Sequence, residues 1–419
     1  MSNLKGNLLV AQGGGPTAVI NQSLVGVITE ARKYSSVEKI FGAKHGVKGI
    51  IDESFLDLTN LSSGHLEAVA KTPSSALLST RHKPKEDDCK RIFEVFKKYN
   101  IRYFVYIGGN DSAETCHTIN KFAKGEAYEI SLIHVPKTID NDLKENDHCP
   151  GFPSAAKYVA QAFVGINLDN KALPGIHLVV VMGRNSGFLT ASSAYGRKYE
   201  DDGPHLIYIP ERPLPKNNPV DKIVSDVQKV YEKLGRCIIA ISEGITVDEE
   251  KVGEDRKLTL LEKIKEELEK DSFGHEQLSG TGALGDTIIE KYIKLKIKTS
   301  GGSKLRARAD TLGYPQRSFL GCVSEVDQRE AREVGEKAVQ FAVGLGKTGS
   351  VTIKRIANYA VEYVLEEKLE KIGGQTRYME DIYINSEGND ITPAYIEYLK
   401  PLIGELPVYE QLQAPKYKQ

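Results

Sequence analysis

The sequence predicts an α/β fold of two parallel-sheet domains, with a charged helical excursion inserted in the second. Three observations predict it. Short apolar runs alternate with helical patterns through the first 150 residues. A second series of the same kind follows, and several of the runs end at glycine. The 419 residues also exceed one ordinary domain.

Residues 7–11 are the first apolar run, followed by Gly13-Gly14-Gly15 and a helical stretch over 18–33. Residues 39–42 give the next strand. Residues 92–98 have helical spacing, and 103–107 form a β-branched and aromatic strand ending at Gly108-Gly109. Residues 112–123 read as a helix, and 131–135 as a strand ending at Pro136. Ligands of such sheets bind at the C-terminal ends of the strands. The loops beginning at Gly13, Gly108 and Pro136 are therefore expected to converge on one site.

In the second series, 158–165 is helical and 177–182 is a buried strand running into Gly183. Residues 206–209 and 236–241 are further strands, the latter ending in Ser242-Glu243-Gly244. Residues 246–271 are highly charged and read as a solvated amphipathic helix. A helix is expected near 353–371, before a proline-broken polar tail. The expected domains are 1–150, completed by part of 316–350; 151–315, with its insertion near 245–300; and a C-terminal helical extension over 350–419.

Lys and Arg total 56 against 57 Asp and Glu, a net charge of −1. A neutral chain fits nucleic-acid binding poorly, and any basic patch must be local. Cysteines at 89, 116, 149, 237 and 322 show no CxxC or CxxH spacing. That argues against a zinc site or a disulfide framework and for a reducing cytoplasm. The apolar runs are too short to span a bilayer, and the N-terminal one reads as a strand, not a secretory signal. A soluble cytoplasmic protein with no nucleic-acid or membrane partner is expected.

Gly13-Gly14-Gly15-Pro16-Thr17-Ala18 fits G-x-G-x-x-A between a strand and a helix, where glycine lets a phosphate approach the backbone. A dinucleotide site also needs an acid at the end of the second strand. That strand ends Phe41-Gly42-Ala43-Lys44, so the dinucleotide reading is weak and a tight structural turn competes with it. Gly344-Leu345-Gly346-Lys347-Thr348 looks like the tail of a P-loop, but Phe341 stands where the first glycine belongs. It reads as a surface loop, with Lys347 a solvated charge.

Pro136-Lys137-Thr138-Ile139-Asp140-Asn141-Asp142 is the most informative stretch. In an extended chain its two carboxylates point the same way, and such a pair needs a metal or strong donors to offset repulsion. One acid can deprotonate a hydroxyl while the other holds Mg²⁺; alone, a solvated turn is as good a reading. Gly108-Gly109-Asn110-Asp111-Ser112 and Met182-Gly183-Arg184-Asn185-Ser186-Gly187 have the same placement, after a strand. Arg184 suits phosphate recognition, against a surface salt bridge as the plain alternative. Arg306, Arg308 and Arg317 bracket Leu312-Gly313-Tyr314-Pro315-Gln316, either as a second anion site or as a solvated basic turn.

GGGPTAVIN, GGNDS, PKTIDND, MGRNSG, ISEG and LGYPQRS follow in order from Gly13 to Ser318. This pattern resembles the phosphofructokinases and is closest to their pyrophosphate-dependent branch. It weakens in the charged excursion and after Gly349. The resemblance implies two Rossmann-like domains of phosphofructokinase type. It implies a reversible, Mg²⁺-dependent phosphoryl transfer from pyrophosphate to the 1-hydroxyl of fructose 6-phosphate. The products are fructose 1,6-bisphosphate and orthophosphate.

By resemblance, Asp140 is the base for the 1-hydroxyl, and Lys137, Thr138 and Arg184 join it in catalysis. Asn110 and Asp142 hold Mg²⁺. Gly14, Gly15, Arg81, Gly109, Asp111 and Ser112 bind the donor, and Thr138 and Asn141 line the sugar and phosphoryl path. Met182, Gly183, Glu243 and Arg317 contact the sugar phosphate. Arg308 reaches the 6-phosphate of a neighbouring subunit, which implies at least a homodimer with shared sites. Tyr314 stands where ATP-using relatives carry histidine. Such relatives carry glycine at the positions of Asp111 and Lys137. A carboxylate at 111 repels a nucleotide's α-phosphate, and a lysine at 137 attracts pyrophosphate.

The pattern departs from the family in three places. Asn110 replaces an aspartate, and Gly175 replaces a neighbour-derived arginine that His177 or Lys171 could substitute. Val25 and Thr29 replace effector-site arginines, so no activation by ADP is expected there. The competing functions are an ATP-dependent phosphofructokinase, a kinase that also accepts sedoheptulose 7-phosphate, and a non-catalytic regulatory subunit. The last needs a damaged catalytic loop, and Asp140 and Asp142 are intact.

Overall fold

Strands that are apolar on both sides dictate sheets covered on both faces. The computed structural model describes residues 4–126, 128–248, 257–270, 282–299 and 304–415. In chain order the described strands are β1 (Gly6–Gln12), β2 (Val37–Ala43), β3 (Phe55–Asp57), β4 (Ile101–Gly108), β5 (Ser131–Pro136), β6 (Ile176–Val181), β7 (Leu206–Tyr208), β8 (Cys237–Ser242), β9 (Ala307–Thr311), β10 (Gly349–Ala357) and β11 (Ala360–Glu366). Leu8 and Val10 of β1 enter one apolar cluster, and Leu9 and Ala11 enter another on the opposite face. Each buried leucine or valine among them contributes about 1.5–3 kcal/mol.

The first sheet has the order β11-β10-β5-β4-β1-β2-β3. Its inner pairs are parallel, while β3 and β11 are antiparallel edges. The chain winds outward from β1 to β2 and outward from β4 to β5, so the winding reverses between the neighbours β1 and β4. The loops leaving those two strands diverge and open a crevice. The second sheet, β7-β8-β6-β9, is wholly parallel. Val181 lies opposite Ser242 and Gln12 opposite Ile107, so the strand ends that carry the motifs are level within each sheet.

Two expectations are corrected. The helix expected near 353–371 is the β10–β11 hairpin, in which Ile353 pairs with Tyr363. Val351, Thr352, Ile353, Val361, Tyr363 and Val364 are β-branched or aromatic, and this outweighs the helical reading. β10 pairs with β5, so part of the expected helical extension belongs to the first sheet. Its one α-helix among the described residues is Pro393–Ile403.

The charged excursion is not simply solvated. Residues 249–256, 271–281 and 300–303 of it lie outside the described residues. The helix Leu260–Lys270 starts at a capping box. Thr259 Oγ1 accepts from Glu262 N at 3.3 Å, and Glu262 Oε2 accepts from Thr259 N at 3.0 Å. Leu260 and Ile264 are buried in the cluster that includes Ile239 and Ile241 of β8.

Val25 is buried, Thr29 Oγ1 turns back to the Val25 carbonyl at 2.8 Å, and the helix Glu325–Val339 packs over the helix Ile20–Ala31. No helix among the described residues is long and apolar enough to cross a membrane.

Candidate active site

The motif loops of both sheets meet at one cleft of about 310 Å³. Its floor is basic because three loops bring cations against glycine backbone. Lys137 follows β5 and is buried, and its Nζ donates to the Gly15 carbonyl at 2.6 Å. Burial lowers its pKa to about 8, against the opposing pull of Asp140 and Asp142. Gly14 has φ +76°, and a Cβ there would lie 3.3 Å from Lys137 Nζ. A Cβ on Gly15 would lie 3.2 Å from Arg317 Nη1. Burial, and then the like charge of Arg81, depress the pKa of Arg317.

The carboxylates stand against this floor. Thr138 Oγ1 donates to Asp142 Oδ1 at 3.1 Å and accepts from Asp140 N at 3.1 Å. Asn110 Nδ2 donates to Asp142 Oδ2 at 3.3 Å. Burial, then the charges of Asp142 and Glu243, push Asp140 up to about 7. Burial also raises Asp142, against its bond from Thr138. Across the cleft, Met182 follows β6 and Glu243 follows β8, with Arg184 beside them. Burial raises the Glu243 carboxyl, opposed by the Gly183 N–H and Arg184.

Most of the sequence-derived residues line this cleft. They are Gly14, Gly15, Arg81, Gly109, Asn110, Asp111, Ser112, Lys137, Thr138, Asp140, Asp142, Met182, Arg184, Glu243 and Arg317. Gly183 does not; it makes the turn behind Arg184 at φ +135°. Tyr314 is 71% exposed and outside the lining, with Arg317 Cζ 4.3 Å from its ring centroid. Arg308 lies on β9 away from the cleft, paired with Asp169 and donating Nε to His177 Nδ1 at 3.3 Å. Lys171 is held by Asp201 at 3.0 Å and Asp202 at 2.6 Å, so it is already engaged within its own chain.

Asn141 does not line the sugar and phosphoryl path, and the chain around it is not extended. Its φ of +60° makes a turn between the two aspartates. Its buried amide donates to Tyr398 Oη at 2.8 Å and accepts from Cys149 N at 3.0 Å. An anchored asparagine, rather than strand alternation, presents both carboxylates to the cleft.

Sequence reasoning missed Thr80, His82, Tyr106, Thr115 and Asn185 in the lining. It also missed Lys83, which bridges Asp111 at 2.8 Å and Glu114 at 2.9 Å on the rim. The run Arg81-His82-Lys83-Pro84-Lys85 was a visible basic cluster in a neutral chain. Tyr398 gave no signal, being 257 residues from the asparagine that it anchors.

The described residues contain no cluster of three or more His, Cys, Asp or Glu for a metal. Mg²⁺ commonly uses one or two carboxylates plus substrate phosphates. Asn110 Oδ1 is buried without a hydrogen-bond partner on the residue that bonds Asp142. That donor set fits a phosphate-borne Mg²⁺.

The model of the family described as phosphofructokinase matches residues 7–342. The pyrophosphate–fructose 6-phosphate 1-phosphotransferase of Rhodospirillum rubrum is 56% identical over 96% of this chain and 95% of its own. The enzyme of that name from Xanthomonas campestris is 34% identical over 98% of this chain and 95% of its own. Among solved structures, the pyrophosphate-dependent phosphofructokinase of Nitrosospira multiformis aligns with a TM-score of 0.79 at 31% identity, covering 97% of this chain and 94% of that one. With two level sheet edges around a paired-aspartate cleft and a match over most of its length, the chain belongs to the phosphofructokinase family.

Proposed function

We propose that this chain transfers a phosphoryl group from pyrophosphate to the 1-hydroxyl of fructose 6-phosphate, giving fructose 1,6-bisphosphate and orthophosphate. The observation that carries it is the buried Lys137 ammonium, fixed between the glycine loop and the Asp140–Asp142 pair. It fills space at the donor subsite and supplies a cation matched to a compact, multiply charged anhydride. Asp111, paired with Lys83 at 2.8 Å, takes up room on the rim that a nucleotide's α-phosphate would need. The relatives named above carry the same activity in their names.

Asp140 takes the proton of the 1-hydroxyl. The sugar oxygen attacks the near phosphorus in line, the bridging P–O bond breaks, and orthophosphate leaves. Lys137 and Arg184 stabilise the charge that spreads over the transferring group. Arg317, Met182 and Glu243 hold the sugar phosphate, while Gly14, Gly15, Gly109, Arg81 and Ser112 cradle the donor. Asp142 and Asn110 would hold a Mg²⁺ ion, which would supply charge neutralisation to the phosphates. A phosphoanhydride is exchanged for an ester without ATP, so the step runs both ways. Arg308 completes the 6-phosphate site of a second copy, making the chain at least a homodimer; full activity in a sedimenting monomer contradicts this.

Incubation with fructose 6-phosphate, pyrophosphate and Mg²⁺ should release one orthophosphate per fructose 1,6-bisphosphate, and chelation of Mg²⁺ should stop both. Orthophosphate without sugar bisphosphate contradicts the transfer and points to hydrolysis.

The pKa shifts predict a narrow bell in kcat/KM. Asp140 must be deprotonated, and its value is raised, so activity climbs through about pH 7. Lys137 must be protonated, and its value is lowered, so activity falls through about pH 8. A profile flat through both values contradicts the two assignments.

A further inference from the structure

The segment Thr376–Met379 lies beyond the stretch matched by the family model, yet it touches both catalytic loops. Arg377 N donates to the Asp142 carbonyl at 2.8 Å, and Thr376 bridges Leu143. The Arg377 guanidinium donates to the Asp147 carbonyl at 2.7 Å, so one residue grips both ends of the turn that follows the aspartate pair. Its Cζ lies 4.6 Å from the ring centroid of Phe188, at the end of the loop that bears Arg184. Glu211 Oε1 accepts from Met379 N at 2.9 Å and from Gly187 N at 2.9 Å, tying the segment to that loop a second time.

We propose that Thr376–Met379 is a strap that sets the spacing between the Asp140–Asp142 turn and the Arg184 loop, with Arg377 as its positioning residue. Arg377 lines no part of the cleft and touches none of the reacting groups. Its side chain acts through the Asp147 carbonyl and Phe188, while its backbone N–H, which any substitution but proline keeps, holds the Asp142 carbonyl. The guanidinium suits this task because it spans a carbonyl and an aromatic face at once, which a lysine ammonium does not reproduce. Transfer needs near-attack geometry, and a displacement of about 1 Å can cost about 100-fold in rate. Of the side chains that hold fructose 6-phosphate, Glu243 and Arg317 lie outside both loops, so its binding is less sensitive than the transfer step. The kinetic arm of this inference rests on the proposed function; its structural arm does not.

The test compares the full-length wild type with Arg377→Ala and Arg377→Lys. For Arg377→Ala, kcat should fall about 100-fold with little change in the KM for fructose 6-phosphate. Its pH profile should shift, because Asp140 and the Arg184 loop change separation. Ethylguanidine added to Arg377→Ala should restore part of the rate, and Arg377→Lys should recover less than the rescued variant. Amide hydrogen exchange should quicken in residues 138–147 and 182–188 together. Unchanged kcat, pH profile and exchange in folded Arg377→Ala overturn the strap. If Arg377→Ala does not fold, Arg377→Lys with wild-type kcat and exchange overturns it. If the wild type itself shows no transfer, the functional reading fails; the strap then stands or falls on whether exchange in the two loops quickens together.

Discussion

Asp140→Asn should lower turnover about 10³-fold in both directions, within the range that a positioned general base supplies. Asparagine keeps the shape and the backbone bond from Asp140 N to Thr138 Oγ1 but cannot take the hydroxyl proton. Fructose 6-phosphate affinity, read by calorimetry, should change little, because Met182, Glu243 and Arg317 are untouched. The same variant should not lose stability. Asp140 has a folded pKa raised to about 7, above the usual ~3.9 of an unfolded aspartate. The folded state therefore binds the proton more tightly, and this group's contribution to stability falls as pH rises between those values. Removing the charge removes that loss, so the melting temperature above pH 7 should equal or exceed that of the wild type. Near-wild-type turnover contradicts the base assignment; a melting temperature well below wild type contradicts the electrostatic account of the site.

Lys137→Met should be nearly as severe. Methionine fills similar buried space but removes the donor to the Gly15 carbonyl and the cation facing the phosphoryl group. Loss of one preorganised donor to developing charge costs about 10²–10³ in kcat. A second effect follows from charge alone. Lys137 lowers the pKa of Asp140. Its removal should move the acid limb of the pH profile to higher pH. Residual activity measured in the reverse direction, with fructose 1,6-bisphosphate and orthophosphate, should fall in parallel. Turnover at the wild-type level, or an unmoved acid limb, contradicts the role given to Lys137.

The residues that define the cleft were legible because the chemistry is local in sequence. Most of the motifs sit at the end of an apolar strand, and parallel winding brings strand ends together whatever the loops do. Lys137, Asp140, Asp142, Arg184 and Glu243 follow this rule, whereas Arg317 comes after β9, a mixed and partly exposed strand that no apolar run marks in the sequence. Asn141 did not, because its place depends on a backbone turn whose anchor, Tyr398, lies in the last helix. The hairpin β10–β11 was misread as a helix although Val351, Thr352, Ile353, Val361, Tyr363 and Val364 carried a strand signal, and its strands turn tightly, with Ala357 paired to Ala360. Lys83 escaped notice because its value lies in bridging Asp111 and Glu114 rather than in any motif of its own.

Lys137 and Asp111 are proposed to make this a pyrophosphate-using site. The most direct test supplies fructose 6-phosphate and Mg²⁺ to the purified protein with pyrophosphate or with ATP, side by side, and follows fructose 1,6-bisphosphate. Rapid product formation is expected with pyrophosphate and almost none with ATP. Turnover with ATP and none with pyrophosphate would contradict it.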